Sequence, residues 1–233
     1  MDQDIDECTP RKFSFSYSAI KNFETCPLRY YETSVAWPRT WTEPPSIYLK
    51  EGQEVHEAFA HALREKLPLP DTYSIHQPWI QKINGVEGEL LVEHRLAITR
   101  DFDPTYWNND AAWYRVIIDA AKINPLKRWA LALDWKTGNS RNIGDNLQLT
   151  LTALALFVHY PDIRAVGCRY VWLRENKQTK HLVKYEQIGD KWQEILPRVA
   201  RLEEAHAKNS FPPKPNRYCK RFCPVQSCRY WGK

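Results

Sequence analysis

The sequence predicts a mixed α/β fold, a central mixed sheet flanked by helices. Three observations predict it. Strand-like runs follow one another in "GELLVEHRLAIT", "WYRVIIDAAKI" and "RWALALDWKTG". An apolar helical stretch, "GDNLQLTLTALALFVHY", separates these from two further strand-like runs, "IRAVGCRYVWLR" and "TKHLVKY". Long helical patterns stand near both ends of the chain. Helices, three strands, a helix, two strands and a helix make an α/β layer architecture.

In chain order, "FSYSAIKNFETCPLRYY" offers Ser14, Ser16 and Ser18 as N-caps for a short helix stopped by Pro27, with a second helical segment through Arg29 and Tyr31. "WPRTWTEPPS" is proline-rich and predicts a loop. "IYLKEGQEVHEAFAHALREK" is a helix that ends before Pro68, with a proline-broken loop beyond it. The second and third strands flank the turn "NPLK". In the following helix Leu147, Leu151, Leu154 and Val158 form one apolar stripe. A last helix covers about 192–208, started or interrupted at Pro197. The tail from Phe211 is extended, and something external must order it.

A chain of 233 residues holds one sizeable core, so residues 1–233 are read as a single domain. No apolar run approaches the roughly 20 residues of a membrane helix. "MDQDIDEC" is too polar for a signal peptide, and a cytoplasmic protein without a membrane partner is expected (host cytoplasm if virus-encoded). A net charge of +5 permits a polyanionic partner without requiring one. The basic bias is local. From Phe211 onward the chain carries Lys214, Arg217, Lys220, Arg221, Arg229 and Lys233 and no acid. The same segment holds Cys219, Cys223 and Cys228, which in a reducing compartment suggest a metal site over disulfides.

The chemistry concentrates in "ALDWKTG". Asp134 and Lys136 are two apart, so in a strand they share a face, while Leu131, Leu133 and Trp135 point into an apolar layer. If "NPLK" is a four-residue turn pairing Ile123 with Arg128, Asp119 pairs with Ala132 and Asp134 lies diagonally from it. Diagonal neighbours are about 7–8 Å apart. Two carboxylates beside a lysine suit a hard divalent cation, with the lysine positioning a water for attack on phosphorus. An ordinary Asp–Lys–Asp surface cluster would read the same way. Glu93 could serve as an extra carboxylate, but an exposed strand face is the expected place for it.

"VIIDAAKI" followed by "ALDWKTG" resembles the paired core motifs of the PD-(D/E)XK nucleases, in particular the RecB-like branch. "EGQEVHEAF" is similar to that branch's Gly-x-x-x-His helix, and Gln148 to the start of its Gln-x-x-x-Tyr motif, although Thr152 stands where the tyrosine would be. The resemblance implies a restriction-endonuclease-like fold. It implies Asp119, Asp134, Lys136 and Gln148 as catalytic residues. It implies His56, Asp119, Asp134 and the Trp135 carbonyl as ligands to Mn²⁺ or Mg²⁺, an imidazole favouring Mn²⁺. Gly52, mid-helix, is expected to permit a close approach beside His56. The small residues Thr152 and Ala155 are expected to leave space beyond Gln148 for a phosphate-bearing strand.

The tail spacing Cys-x3-Cys-x4-Cys lacks a fourth thiolate, and Cys26 is the obvious candidate. "SYSAIKNFETCPLRYY" resembles the N-terminal segment of iron–sulfur RecB-like nucleases, including the AddB subunit and the CRISPR adaptation nucleases. By that resemblance Cys26, Cys219, Cys223 and Cys228 hold a [4Fe–4S] cluster that clasps residues 14–35 to 211–233; zinc is the alternative. Cys168 is expected to be core and Cys8 unligated. Trp37, Trp41, Tyr106 and Trp107 lie in loop-like stretches where bases can stack. The expected activity is a metal-dependent DNA nuclease, an exonuclease on ends or single strands in recombination, repair or phage DNA processing. Two rivals stay open. One is a CRISPR-adaptation or helicase-associated nuclease with a separate helicase or recombination partner; the other is a catalytically inert iron–sulfur protein that binds nucleic acid.

Overall fold

The computed structural model describes residues 12–36, 47–140 and 145–233. The polar start with Cys8, and the "WPRTWTEPPS" loop with Trp37 and Trp41, lie outside the described residues. The helices are α1 (Tyr17–Thr25), α2 (Pro27–Tyr30, continued by a π turn over Tyr31–Val35), α3 (Ile47–Glu65), α4 (Gln77–Asn84), α5 (Leu147–His159) and α6 (Ile188–Ala207). The strands are β1 (Glu89–Ile98), β2 (Pro104–Thr105), β3 (Tyr114–Asn124), β4 (Trp129–Lys136), β5 (Ala165–Trp172) and β6 (Lys177–Lys184). They form one mixed sheet in the order β2-β1-β3-β4-β5-β6. Among the described strands, only β4 and β5 run parallel, joined across the sheet by α5, as a parallel pair requires.

The sheet separates two apolar layers. One face packs on α5, α6 and α1 through Ile118, Ala132, Leu151, Tyr170 and Leu202. The other packs on α3 and α4 through Val55, Phe59, Leu63, Ile80, Leu133 and Trp135. Leu133 and Trp135 therefore face away from Asp134, as their alternation predicts. Helix α5 is buried nearly all round, which one apolar stripe did not anticipate; it is a central crossover covered by α1 and α6.

Several local expectations hold. Ser16 caps α1, its hydroxyl accepting from the Ala19 amide, and Pro27 opens α2 at a position where its missing N–H costs nothing. Others need correction. The stretch after Pro68 is not only loop: Asp71–His76 forms a 3₁₀ turn and α4 follows, its Ile80 and Ile83 buried against α3. Pro197 neither starts nor interrupts α6, which runs through it. The helix lies on the core with Trp192, Ile195, Val199 and Leu202 buried, and that burial outweighs the lost hydrogen bond.

The β3–β4 register also differs. Asn124 pairs with Trp129 and Ala121 with Ala132, so the turn is Pro125–Arg128, not "NPLK". The two-residue slip keeps every side chain on its expected face. It moves Asp134 from a diagonal position to one opposite Asp119.

Arg198 of α6 grips Glu24 of α1 through two nitrogens at 2.6 Å each and reaches Asp145, ahead of α5, at 3.4 Å. This network fixes the N-terminus of α5, and with it Gln148.

Candidate active site

The site forms where the sheet ladders break off. Strands β1 and β3 pair Val92 with Ala120 and His94 with Ile118, but skip Glu93 and Asp119 between them. Glu93 has a left-handed backbone, φ 47°. For a non-glycine residue that costs about 1–2 kcal/mol. The burial alternation changes phase at the same place. On the α5 side, Tyr114 and Ile118 give way to Ala121 and Ile123 in β3, and Leu91 gives way to Leu96 and Ile98 in β1. The local break releases two carboxylates from the sheet pattern into one cleft.

Asp119 is anchored by the main chain: beyond the last β3–β4 pair, the Trp135 amide donates to its Oδ2 at 2.8 Å. Helix α3 brings His56 to the same point. Its Nδ1 lies 3.5 Å from Asp119 Oδ1 and 3.9 Å from Glu93 Oε1, and its Nε2 is 3.1 Å from the Trp135 carbonyl oxygen. Ligand atoms of His56, Glu93 and Asp119 all lie within 4.8 Å of one another. Glu93 Oε1 is buried and accepts no hydrogen bond. Such an orphaned oxygen is costly unless a cation or donor completes it. The residues present therefore fit a divalent ion through one imidazole nitrogen and two carboxylates, with the Trp135 carbonyl on the other ring nitrogen. Beside them α3 and Glu93 line a cavity of about 750 Å³ that reaches Thr137.

The electrostatics agree. Burial alone would lower the His56 pKa, but the hydrogen bond and charge of Asp119, then Asp134 and the Trp135 carbonyl, raise it to about 9. Burial, then the Asp119 charge, raises Glu93; His56 and Arg64 partly offset this. Burial, then Asp119, likewise raises Asp134 against the opposing pull of Lys136. A bound cation would relieve the mutual repulsion of these crowded carboxylates.

Asp134 and Lys136 stand on the α5 side of this cluster. Lys136 Nζ is 2.7 Å from Asp134 Oδ1 and donates to Gln148 Oε1 at 3.0 Å. Gln148 thus faces Lys136. Thr152 donates to the Gln148 carbonyl at 3.0 Å and is buried with Ala155, so these small residues fill core and leave no space for a phosphate-bearing strand. Gly52 lies where a methyl group would meet Thr137 Oγ1 at 3.6 Å, an ordinary contact. The approach of α3 to β4 does not demand a glycine there.

Of the expected ligands, His56 and Asp119 come together, the Trp135 carbonyl lies on the far nitrogen of the His56 ring, and Asp134 is held against Lys136 outside the three-residue group. Glu93 is the residue that sequence reasoning underrated. The signal was present in "ELLVEHRLAI", where two apolar runs lie out of phase on either side of the glutamate.

Cys26, Cys219, Cys223 and Cys228 line one small cavity between α1–α2 and the tail. The tail lies on the helices without regular structure. Lys214 Nζ donates to the Glu24 carbonyl at 2.7 Å, Asn216 to the Thr25 carbonyl at 3.0 Å, and Phe211 stacks on Tyr31. Main-chain amides of Lys214 and Asn216 donate to Cys26 Sγ and Cys219 Sγ at 3.3 and 3.4 Å. Cys168 is wholly buried core. Tyr106 is exposed, and Trp107 lies under the Arg95 guanidinium.

Comparison with known proteins agrees with this architecture. Residues 114–228 match the PD-(D/E)XK nuclease superfamily. The matched segment contains Asp119, Asp134, Lys136, Gln148 and the three tail cysteines; His56 and Glu93 precede it. The six-stranded sheet flanked by helices is the PD-(D/E)XK, restriction-endonuclease-like fold. A crystal structure from Eubacterium rectale, described as a "putative exonuclease", shares it: TM-score 0.53 and 12% identity over 90% of this chain and 86% of that one. The crystal structure of SSO0001 aligns at TM-score 0.42 and 10% identity over 96% of this chain and 89% of that one. No curated protein matches the sequence. Among the described residues, no helix is long and apolar enough to cross a membrane.

Proposed function

We propose that this PD-(D/E)XK domain is a divalent-metal-dependent deoxyribonuclease, using Mn²⁺ or Mg²⁺, that acts on DNA ends or single strands. The observation that carries the reading is the convergence of His56, Glu93 and Asp119, with one glutamate oxygen buried and unbonded, beside the Asp134–Lys136 pair. His56, Glu93 and Asp119 would hold the ion, with the Trp135 carbonyl and Asp134 next to them. A bound divalent ion polarises the scissile phosphate and makes water a better nucleophile. Lys136 orients the attacking water, and Gln148 Oε1 fixes the direction of its ammonium group. Asp134 keeps Lys136 within reach. The exonuclease mode is supported by the sequence motifs and by the fold shared with the Eubacterium rectale protein.

The four cysteines are proposed to hold a [4Fe–4S] cluster. The support is that all four line one small cavity and that main-chain N–H···S bonds reach Cys26 and Cys219, as suits thiolates that ligate a cluster.

The test is digestion of oligonucleotides labelled at the 5′ or the 3′ end, with Mn²⁺, Mg²⁺ or EDTA. Progressive shortening from one end in metal, and none in EDTA, is expected. Intact DNA under every metal condition removes the reading.

A further inference from the structure

Tyr170 lies on β5 directly beside Asp134 of β4, on the face that carries Asp134 and Lys136. Its side chain is wholly buried, yet its hydroxyl has no hydrogen-bond partner. The buried Tyr30, by contrast, is bonded to His206 Nε2 at 2.9 Å. Leaving a phenol oxygen unpaired in a core is unfavourable, and phenylalanine would fill the same space without that cost. The ring has a neighbour that explains its place, for Lys136 Nζ stands 5.2 Å from its centroid. A phenol keeps its proton at neutral pH, so the hydroxyl is available as a donor. The residue at the relevant position of α5, Thr152, spends its own hydroxyl on the Gln148 carbonyl and offers nothing to the site.

We propose that Tyr170 is a positioning residue for the Asp134–Lys136 pair: its ring carries the lysine ammonium, and its free hydroxyl donates to the neighbouring Asp134 carboxylate when the cleft is filled. Asp134 Oδ1 stands 2.7 Å from Lys136 Nζ as an ion pair, yet it is buried without an aligned hydrogen-bond donor. Asp134 is therefore a buried carboxylate short of a donor, and Tyr170 is the adjacent side chain with one unspent. The contact moves no proton and breaks no covalent bond. It keeps Asp134 aimed at the metal side of the cleft throughout turnover.

The inference rests on the metal-dependent nuclease reading. Its test uses Y170F in the full chain, with thermal melting, Mn²⁺ titration calorimetry, and kcat and KM on a labelled oligonucleotide. The melting temperature should stay equal or rise, because an unpaired hydroxyl is removed. Mn²⁺ affinity and kcat should each fall about ten- to a hundred-fold, as for other outer-shell partners, with KM for DNA unchanged. A Y170F protein that binds Mn²⁺ and turns over like wild type overturns the proposal. So does one that melts earlier, which would show the hydroxyl already satisfied. If wild type binds Mn²⁺ but cuts no DNA, the nuclease reading fails, and the Mn²⁺ affinities alone decide Tyr170. A wild-type protein that binds no Mn²⁺ overturns both.

Discussion

His56 Nε2 lies 3.1 Å from the main-chain oxygen of Trp135, so one imidazole ties helix α3 to the end of β4 while its other nitrogen faces Asp119. A metal and a proton compete for this ring. Asp119, Asp134 and the Trp135 carbonyl, acting against burial, raise its pKa from 6.5 to about 9. In the metal-free protein the resulting stability is fully present below pH 6.5 and is lost as pH rises through about 9. Mn²⁺ affinity should therefore climb across the same window, since binding expels a proton. Calorimetry at several pH values checks this, and His56→Asn should flatten the rise.

Glu93→Gln tests the residue that the fold recruits. The substitution keeps shape and removes a carboxylate crowded by Asp119. We expect an unchanged or slightly higher melting temperature without metal. Mn²⁺ affinity should fall by more than the roughly ten- to hundred-fold of an outer-shell change. Wild-type affinity in this variant would return Glu93 to a structural role.

Lys136→Ala should lower kcat by about 10²- to 10⁴-fold while the protein stays folded. Asp119→Asn retains an acceptor for the Trp135 amide but removes the charge, and it should also be folded and inactive. Circular dichroism with the end-label assay separates lost chemistry from lost structure.

Gly52→Ala should stabilise the protein by about 1 kcal/mol, the ordinary helix-propensity gain. Its new methyl group meets Thr137 Oγ1 at only 3.6 Å, so activity should survive. Urea denaturation measures the gain; a loss would mean that Thr137 has less freedom than this contact implies.

Anaerobically purified protein should be brown, with absorption at roughly 400 nm from thiolate-bound iron. Cys26→Ser should bleach it and expose residues 211–233 to limited proteolysis, because the tail has no regular structure of its own. A colourless wild type containing one zinc per chain would replace the cluster assignment.

The sequence alone determined the order of the main elements apart from α4 and the short β2, the shared face of Asp134 and Lys136, the helix bearing His56, and the four cysteines near the chain's two ends. Each follows from local periodicity or spacing, which fixes where a side chain points within its own element. Tertiary structure decided which of those faces meet. The slip to Asn124–Trp129 pairing, the helical path through Pro197 and the bond from Lys136 to Gln148 depend on contacts between distant segments. Above all, the ladder break at Glu93 and Asp119 is a compromise between two strands. One strained backbone turn there lets both apolar layers stay buried while two acids leave the sheet, and no single strand's pattern contains that balance.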